Sequence, residues 1–331
     1  MRSIFIYILL ALICIPQSVS SNDMDLWGFF GHKRINRMAV FTLPPELFGF
    51  FKRHIEFITE HAVDPDKRRY AVEGEAPRHY IDIDHYAHGG QDPFEVVPKQ
   101  WTDAVELLTE DTLQAYGIVP WHVNLMVTRL SEAMRSGDSY RILRTAADLG
   151  HYVGDAHVPL HTTENYNGQL TGQKGIHGFW ESRVVELFAD EYDYFVGKAE
   201  YIPDVLDYVW TEVEKSHRAV DSVLTFERTL DEEFGSDKKY GVETRGSVTI
   251  QTYSRPYSKA YSDMLDGMIE RRMRRSIISL GSLWYTAWVD AGQPDLEKLA
   301  APQPTEEQLA EEEELNRKVQ EGKIKGREHP H

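Results

Sequence analysis

Polar and apolar positions along this chain alternate mainly with the period of an α-helix. A helix begins at Arg34 and runs to Phe41, and Pro44-Pro45-Glu46 starts another. In that second helix Leu47, Phe50, Phe51, His54, Ile55 and Ile58 fall on one stripe. Trp101 to Tyr116 and Trp121 to Ser136 read as two amphipathic helices, and Tyr140 to Asp155 as a third. Asp204 to Leu230 and Ser258 to Ala291 are long helical stretches, the second interrupted only by Gly267 and Gly281. Strand-like alternation is scarce, and Ser247 to Tyr253 is its best short case. The predicted fold class is therefore all-α: a single multi-helix domain in which irregular loops bring side chains between helices. Phe234 to Tyr261 stands apart, mixing Gly, Ser and Lys with Tyr240, Tyr253, Tyr257 and Tyr261 in weak periodicity. It reads as a long irregular segment, either functional or mobile, or else a plain solvent-exposed excursion.

The two ends lie outside that domain, which spans residues 21–295. Residues 1–20 read as a signal peptide: Arg2, an apolar run from Ile4 to Ile15, Pro16, then Ser18-Val19-Ser20, with cleavage near Ser20 or Ser21. The run is short for a membrane span, so none is expected in the mature form. Cys14 is the only cysteine and sits inside the run; Ile13 before it does not suit a lipoprotein signal. A secreted chain without disulfides fits a bacterial periplasm or exterior. Residues 296–331 read as a charged tail, disordered or helical, with an acidic run at Glu306-Glu307 and Glu311 to Glu314 and a basic finish. Its terminal His329 and His331 are incidental.

With 53 acidic and 36 basic residues the net charge is −17. That balance disfavours nonspecific binding to duplex DNA or to anionic membranes. A phosphodiester is still accessible where metal ions neutralise it locally.

The chemistry is concentrated between residues 151 and 181. His151 and Asp155 are four apart, as are His177 and Glu181, so on a helix each pair turns two ligands to one side. His161 follows Pro159, which turns the chain out of the helix. Imidazole with carboxylate, and no thiolate nearby, is the ligand set of a hydrolytic zinc site that keeps water positions open. Upstream stand Trp27-Gly28-Phe29-Phe30-Gly31-His32, then His61-Ala62-Val63-Asp64-Pro65-Asp66, then Pro77-Arg78-His79-Tyr80-Ile81-Asp82.

Taken in order, these residues resemble the zinc-dependent phospholipase C superfamily, which includes the single-strand-specific zinc nucleases. The resemblance runs from Trp27 to about Gly292 and is close only in the ligand segments. It implies an all-α fold with a trinuclear zinc cleft, up to three Zn2+ ions. Asp64, His79, His151 and Asp155 would hold the first zinc, and His161, His177 and Glu181 the second. Trp27, His32 and Asp155 would hold the third, with Asp155 shared. Asp66 and His61 are rival ligands beside Asp64, which is also the candidate catalytic carboxylate that orients or deprotonates the attacking water. In the family the tryptophan is the mature N-terminus. Here the expected signal cut leaves Asn22 to Leu26 ahead of it, so either a second trimming step exposes Trp27 or the third zinc loses its amine ligand. His157 and His85 read as structural groups, Asp82 and Asp84 as residues that could orient a ligand imidazole, and Lys67-Arg68-Arg69 as a solvated face, with phosphate steering the lesser reading.

The implied activity is that of a secreted zinc-dependent phosphodiester hydrolase of the phospholipase C type, acting on a phospholipid head group. Asp64-Pro65-Asp66, Glu181 and the sixteen-residue step from His161 to His177 lean that way. A single-strand-specific zinc endonuclease/3'-nucleotidase, acting on single-stranded nucleic acid, is the alternative. The Trp27 to His32 step, the Asp155 to His161 wording and Pro77 to Asp82 favour it. Tyr70, Tyr166, Phe179 and the tyrosines from 240 to 261 would serve as base platforms or acyl rim. A non-catalytic zinc-stabilised secreted binding protein is the reading of another class, and closed four-ligand sites would mark it. No stable protein partner is implied.

Overall fold

The computed structural model describes residues 29–69, 71–87, 89–245 and 248–321. The expected signal peptide, Trp27, Tyr70 and the last ten residues of the tail lie outside the described residues. In chain order the helices are α1 (Phe29–Ala39), α2 (Pro45–Arg53), α3 (Ile55–Glu60), α4 (Asp64–Arg68), α5 (Pro93–Val96), α6 (Trp101–Leu108), α7 (Glu110–Tyr116), α8 (Val119–Ser136) and α9 (Ser139–Ala156). They continue with α10 (Ile176–Gly178), α11 (Val184–Phe188), α12 (Val205–His217), α13 (Val220–Phe234), α14 (Ser236–Lys239), α15 (Arg255–Met264), α16 (Met268–Asp290) and α17 (Glu306–Glu321). One antiparallel hairpin, β1 (Tyr240–Arg245) and β2 (Val248–Tyr253), pairs Tyr240 with Tyr253 and Arg245 with Val248. The fold is mostly helical, as the periodicity predicts. Among the described residues no helix is long and apolar enough to cross a membrane.

Four of the predicted helical stripes are broken where the apolar pattern runs on. His54 separates α2 from α3, Thr109 α6 from α7, and Arg218-Ala219 α12 from α13. Asp266 and Gly267, with φ of 48° and 71°, separate α15 from α16. Both halves of each stripe face the core, so periodicity alone does not reveal the turn between them. Thr109 (φ 67°, ψ 147°) sits in a region side chains seldom enter, at a cost on the order of 1–3 kcal/mol. Its hydroxyl offsets part of this by accepting from Thr112 N at 3.4 Å, capping α7. The segment from Phe234 to Tyr261 is also not irregular: it holds α14, the hairpin and the first part of α15.

The centre of the molecule is the α8–α9 pair with α1 and α16 packed across it. Ser136-Gly137-Asp138 makes the tight turn between α8 and α9. Gly137 adopts φ 74°, and the Asp138 carboxylate caps α9 by accepting from Arg141 N at 3.0 Å. Close approach of α1 to α9 depends on two glycines one turn apart. A Cβ at Gly150 would fall 1.9 Å from Asn36 Oδ1, and one at Gly154 would fall 2.8 Å from His32 Nδ1. Buried Asn36 fastens the crossing by donating Nδ2 to Ile58 O and Ala147 O, at 3.1 and 3.0 Å. The buried apolar core draws on residues from Ile35 to Leu296. In the tail, α17 buries none of its residues, as a solvated helix should, yet its Glu312 reaches Arg144 Nη1 at 3.3 Å.

Candidate metal centre

Helix α9 brings His151 and Asp155 to the middle of the fold, 0 % and 1 % exposed. Five further segments converge on them. Asp155 Oδ2 lies 3.0 Å from His79 Nδ1 and 3.4 Å from His151 Nε2, and those two nitrogens are 3.0 Å apart. Asp66 Oδ1 closes this group at 3.5 Å from His151 Nε2 and 3.7 Å from His79 Nδ1. On the other side His161 Nε2 and His177 Nε2 are 3.2 Å apart, with Glu181 Oε2 at 3.4 and 2.8 Å from them. His32, stacked on His151 at 4.0 Å, joins the halves: its Nε2 is 3.4 Å from Asp155 Oδ1 and 3.5 Å from Glu181 Oε1. Four overlapping groups able to hold a metal ion result: His32, Asp66 and His151; His79, His151 and Asp155; His161, His177 and Glu181; His32, Asp155 and Glu181.

What the imidazoles do with their second nitrogen decides their chemistry. His151 Nδ1 faces Ala62 O at 2.9 Å, His161 Nδ1 faces His79 O at 2.5 Å, and His177 Nδ1 faces Tyr166 O at 3.1 Å. A carbonyl only accepts, so each of these Nδ1 atoms carries the hydrogen. The neutral ring then turns an Nε2 lone pair towards the others. Lone pairs and carboxylate oxygens crowded within 4 Å repel one another unless positive charge lies among them. Either protons or a bound cation must supply it. Burial works against ionising Asp155 and Glu181, yet the surrounding imidazoles hold both carboxyls well below the usual range. Such outer carbonyl contacts are how proteins orient metal-ligating histidines. The residues therefore fit a metal site.

Eight of the side chains named from the sequence can be placed. Seven of them, His32, His79, His151, Asp155, His161, His177 and Glu181, come together. Asp64 does not. Its Oδ2 pairs with His61 Nδ1 at 2.6 Å and Arg144 Nη1 at 2.8 Å, and its Oδ1 accepts from Lys67 Nζ at 2.9 Å. Burial opposes ionisation, but these partners hold the carboxyl well below its ordinary range. Asp66 takes its place at the cluster, because positions two apart on α4 point to opposite sides of the helix. Trp27 lies outside the described residues. Nor do His177 and Glu181 share a regular α-helix: the chain passes from α10 into a π-helical turn, Phe179–Arg183, which carries Glu181. Such turns often occur at functional sites.

His157 is structural, bonded to Val153 O at 2.7 Å and facing Ser279 Oγ at 3.2 Å. His85 stacks on Tyr116 at 3.3 Å, outside the groups. Asp84 pins the following loop through Thr163 Oγ1 and Glu164 N, at 2.6 and 2.9 Å. Of the run Lys67-Arg68-Arg69 only Lys67 is exposed. Arg68 binds Asp148 at 2.8 Å, and Arg69 is 1 % exposed. Arg69 Nη1 comes to 3.6 Å from Asp66 Oδ1, while its Nε and Nη1 have no hydrogen-bond partner among the described residues.

Sequence reasoning also passed over Glu75, which is fully buried. It accepts from Tyr152 Oη and from Arg78 Nη1, the latter at 2.6 Å, and its Oε1 stands 3.8 Å from His79 Nε2. The helical spacings from Asp66 to Arg69 and from Glu75 to His79 were the available signals. Glu75→Gln keeps the shape and removes the charge behind His79. Metal affinity should fall about 10-fold or more, read by competition with a chromogenic chelator. Unchanged affinity would leave Glu75 a packing role only.

No protein-family model matches the chain, and no curated protein matches it in sequence.

Proposed function

We propose that this chain is a zinc-dependent phosphoester hydrolase of the phospholipase C type. The observation that carries the reading is the convergence of imidazole lone pairs and carboxylates on shared Asp155, with the buried guanidinium of Arg69 alongside. The resemblance drawn from the sequence supports zinc as the ion. Asp66, His79, His151 and Asp155 would form one site, His161, His177 and Glu181 a second, and His32 with Asp155 a third. When bound, zinc supplies a water of lowered pKa, roughly 7 in a single-zinc precedent, and positive charge against the phosphate.

The chain's own groups do the rest. Arg69 presents guanidinium donors that a phosphate oxygen would satisfy, and its burial strengthens that contact. The Asp66 carboxylate takes the role first given to Asp64, accepting a proton from the attacking water. Phe179, Tyr257 and Tyr261 stack among themselves and are buried, and Tyr253 packs on Phe179 at 3.9 Å. They leave little open aromatic surface for bases, which supports the phospholipid reading. Tyr166, its ring 6.3 Å from that of His177, supports the single-strand nuclease as the second reading.

The test assays the purified chain, with and without chelator, on phosphatidylcholine, single-stranded DNA or RNA, and an aryl phosphodiester. Activity lost to chelator and restored by Zn2+ is expected. Hydrolysis of the lipid alone supports the first reading and hydrolysis of nucleic acid alone the second. Chelator-resistant activity would overturn both.

A further inference from the structure

A second cleft lies on the far side of the segment that carries His79. Its volume is about 950 Å³, within the usual range for small-molecule sites. The break at Thr109 opens it, since a continuous helix from Trp101 to Tyr116 could not present α6 and α7 as separate walls against α8. Pro77 and Arg78 form the side towards the metal centre. The two sites are distinct but adjacent: the His122 ring, which lines the cleft, packs on Tyr152 at 4.4 Å, and Tyr152 packs on His79 at 5.4 Å.

The lining narrows the class of ligand. Trp101 is half-buried in it beside Trp121, with their rings 5.3 Å apart, and Leu125 adds exposed apolar surface. Between these apolar faces stand side-chain amides, Gln114 and Asn124 among them, each able both to donate and to accept. The lining is net acidic. Glu73, Glu110 and Asp111 outnumber Arg78 and Arg129, and Arg78 is already paired with Glu75 at 2.6 Å, so the cleft repels anions while its carboxylates can accept from hydroxyls. A nucleotide or an anionic lipid would meet carboxylates, and an acyl chain would strand the amides without partners. His122 is 5 % exposed, and its Nε2 has no hydrogen-bond partner among the described residues. Burial lowers its pKa to about 3, so the ring stays neutral at ordinary pH and both donates and accepts.

We infer that this cleft binds a neutral saccharide, its C–H face on the indole of Trp101 and its hydroxyls on Gln114, Asn124 and His122. Indole surface interleaved with groups that both donate and accept is complementary to a ring with apolar faces and a hydroxyl rim. The site is independent of the proposed hydrolysis and holds whatever the metal centre does.

The experiment titrates the full chain with maltose, cellobiose and N,N'-diacetylchitobiose, following tryptophan fluorescence and heat. Lysophosphatidylcholine below its micellar concentration and a mononucleotide are the comparison ligands. Saturable binding of at least one disaccharide with a Kd of about 1 mM or tighter is expected, equally in chelator-treated protein. Gln114→Ala and Asn124→Ala, both at half-buried positions, should each weaken it at least about fivefold while shifting the melting temperature by no more than about 2–4 °C. Trp101→Phe keeps the packing while shrinking the platform, and should weaken it as well. The inference is overturned if no disaccharide binds by about 10 mM, if these variants leave binding unchanged, or if either comparison ligand displaces the sugar.

Discussion

Asp155→Asn should abolish the proposed phosphodiester hydrolysis, by about 10³-fold or more. The two oxygens of Asp155, like those of Glu181, face different groups: Oδ2 of Asp155 lies towards His79 and His151, Oδ1 towards His32 and His161. The amide keeps the size, loses the charge and replaces one acceptor by a donor, so both halves of the site fail together. Metal content measured on the purified variant should fall by at least one ion per chain. In the chelated protein the same change removes the partner of buried imidazoles, at a cost of roughly 3–5 kcal/mol. A melting temperature lower by about 10 °C would report it. A variant that keeps its metal and its turnover would sink the shared-carboxylate reading.

The second large effect is a contrast between neighbours. Asp66→Asn should lower activity by about 10²-fold or more, because its Oδ1 completes the group around His151 and His79. Asp64→Asn should leave activity within a few-fold of wild type. It would loosen the contacts to His61, Lys67 and Arg144, lowering stability by about 1–2 kcal/mol in urea denaturation. Parallel steady-state assays of the two variants decide the matter. The reverse outcome would return the ligand and base roles to Asp64.

Much of the site was legible before any fold was known, for a physical reason. His151 and Asp155 lie on one helix at a spacing that fixes their common direction, and Pro159 ends that helix where His161 is needed. Asp64 against Asp66 was not legible. The five-residue helix α4 has no periodicity long enough to set its phase, and only packing against α9 decides which carboxylate turns inward. Glu75 was passed over and Arg69 read as solvated for a related reason: a charged residue in a polar run looks solvated until the fold buries it. Tyr253, Tyr257 and Tyr261 illustrate the reverse, since they resembled an exposed platform and instead pack against Phe179, leaving only Tyr240 exposed among the four.

By itself, then, the sequence determined the helical class, the course of α8 and α9, and the seven imidazole and carboxylate side chains found together. The helices and the His151–Asp155 and His177–Glu181 pairs follow from short-range geometry, the 3.6-residue period or a four-residue step, whereas His32 and His79 were marked by the family resemblance. Tertiary structure decided which aspartate of the α4 segment joins them and how far His32 reaches over Gly154. It also decided where the long helical stripes break and which arginines are buried. Those outcomes rest on contacts between residues distant along the chain, where no local period carries the information.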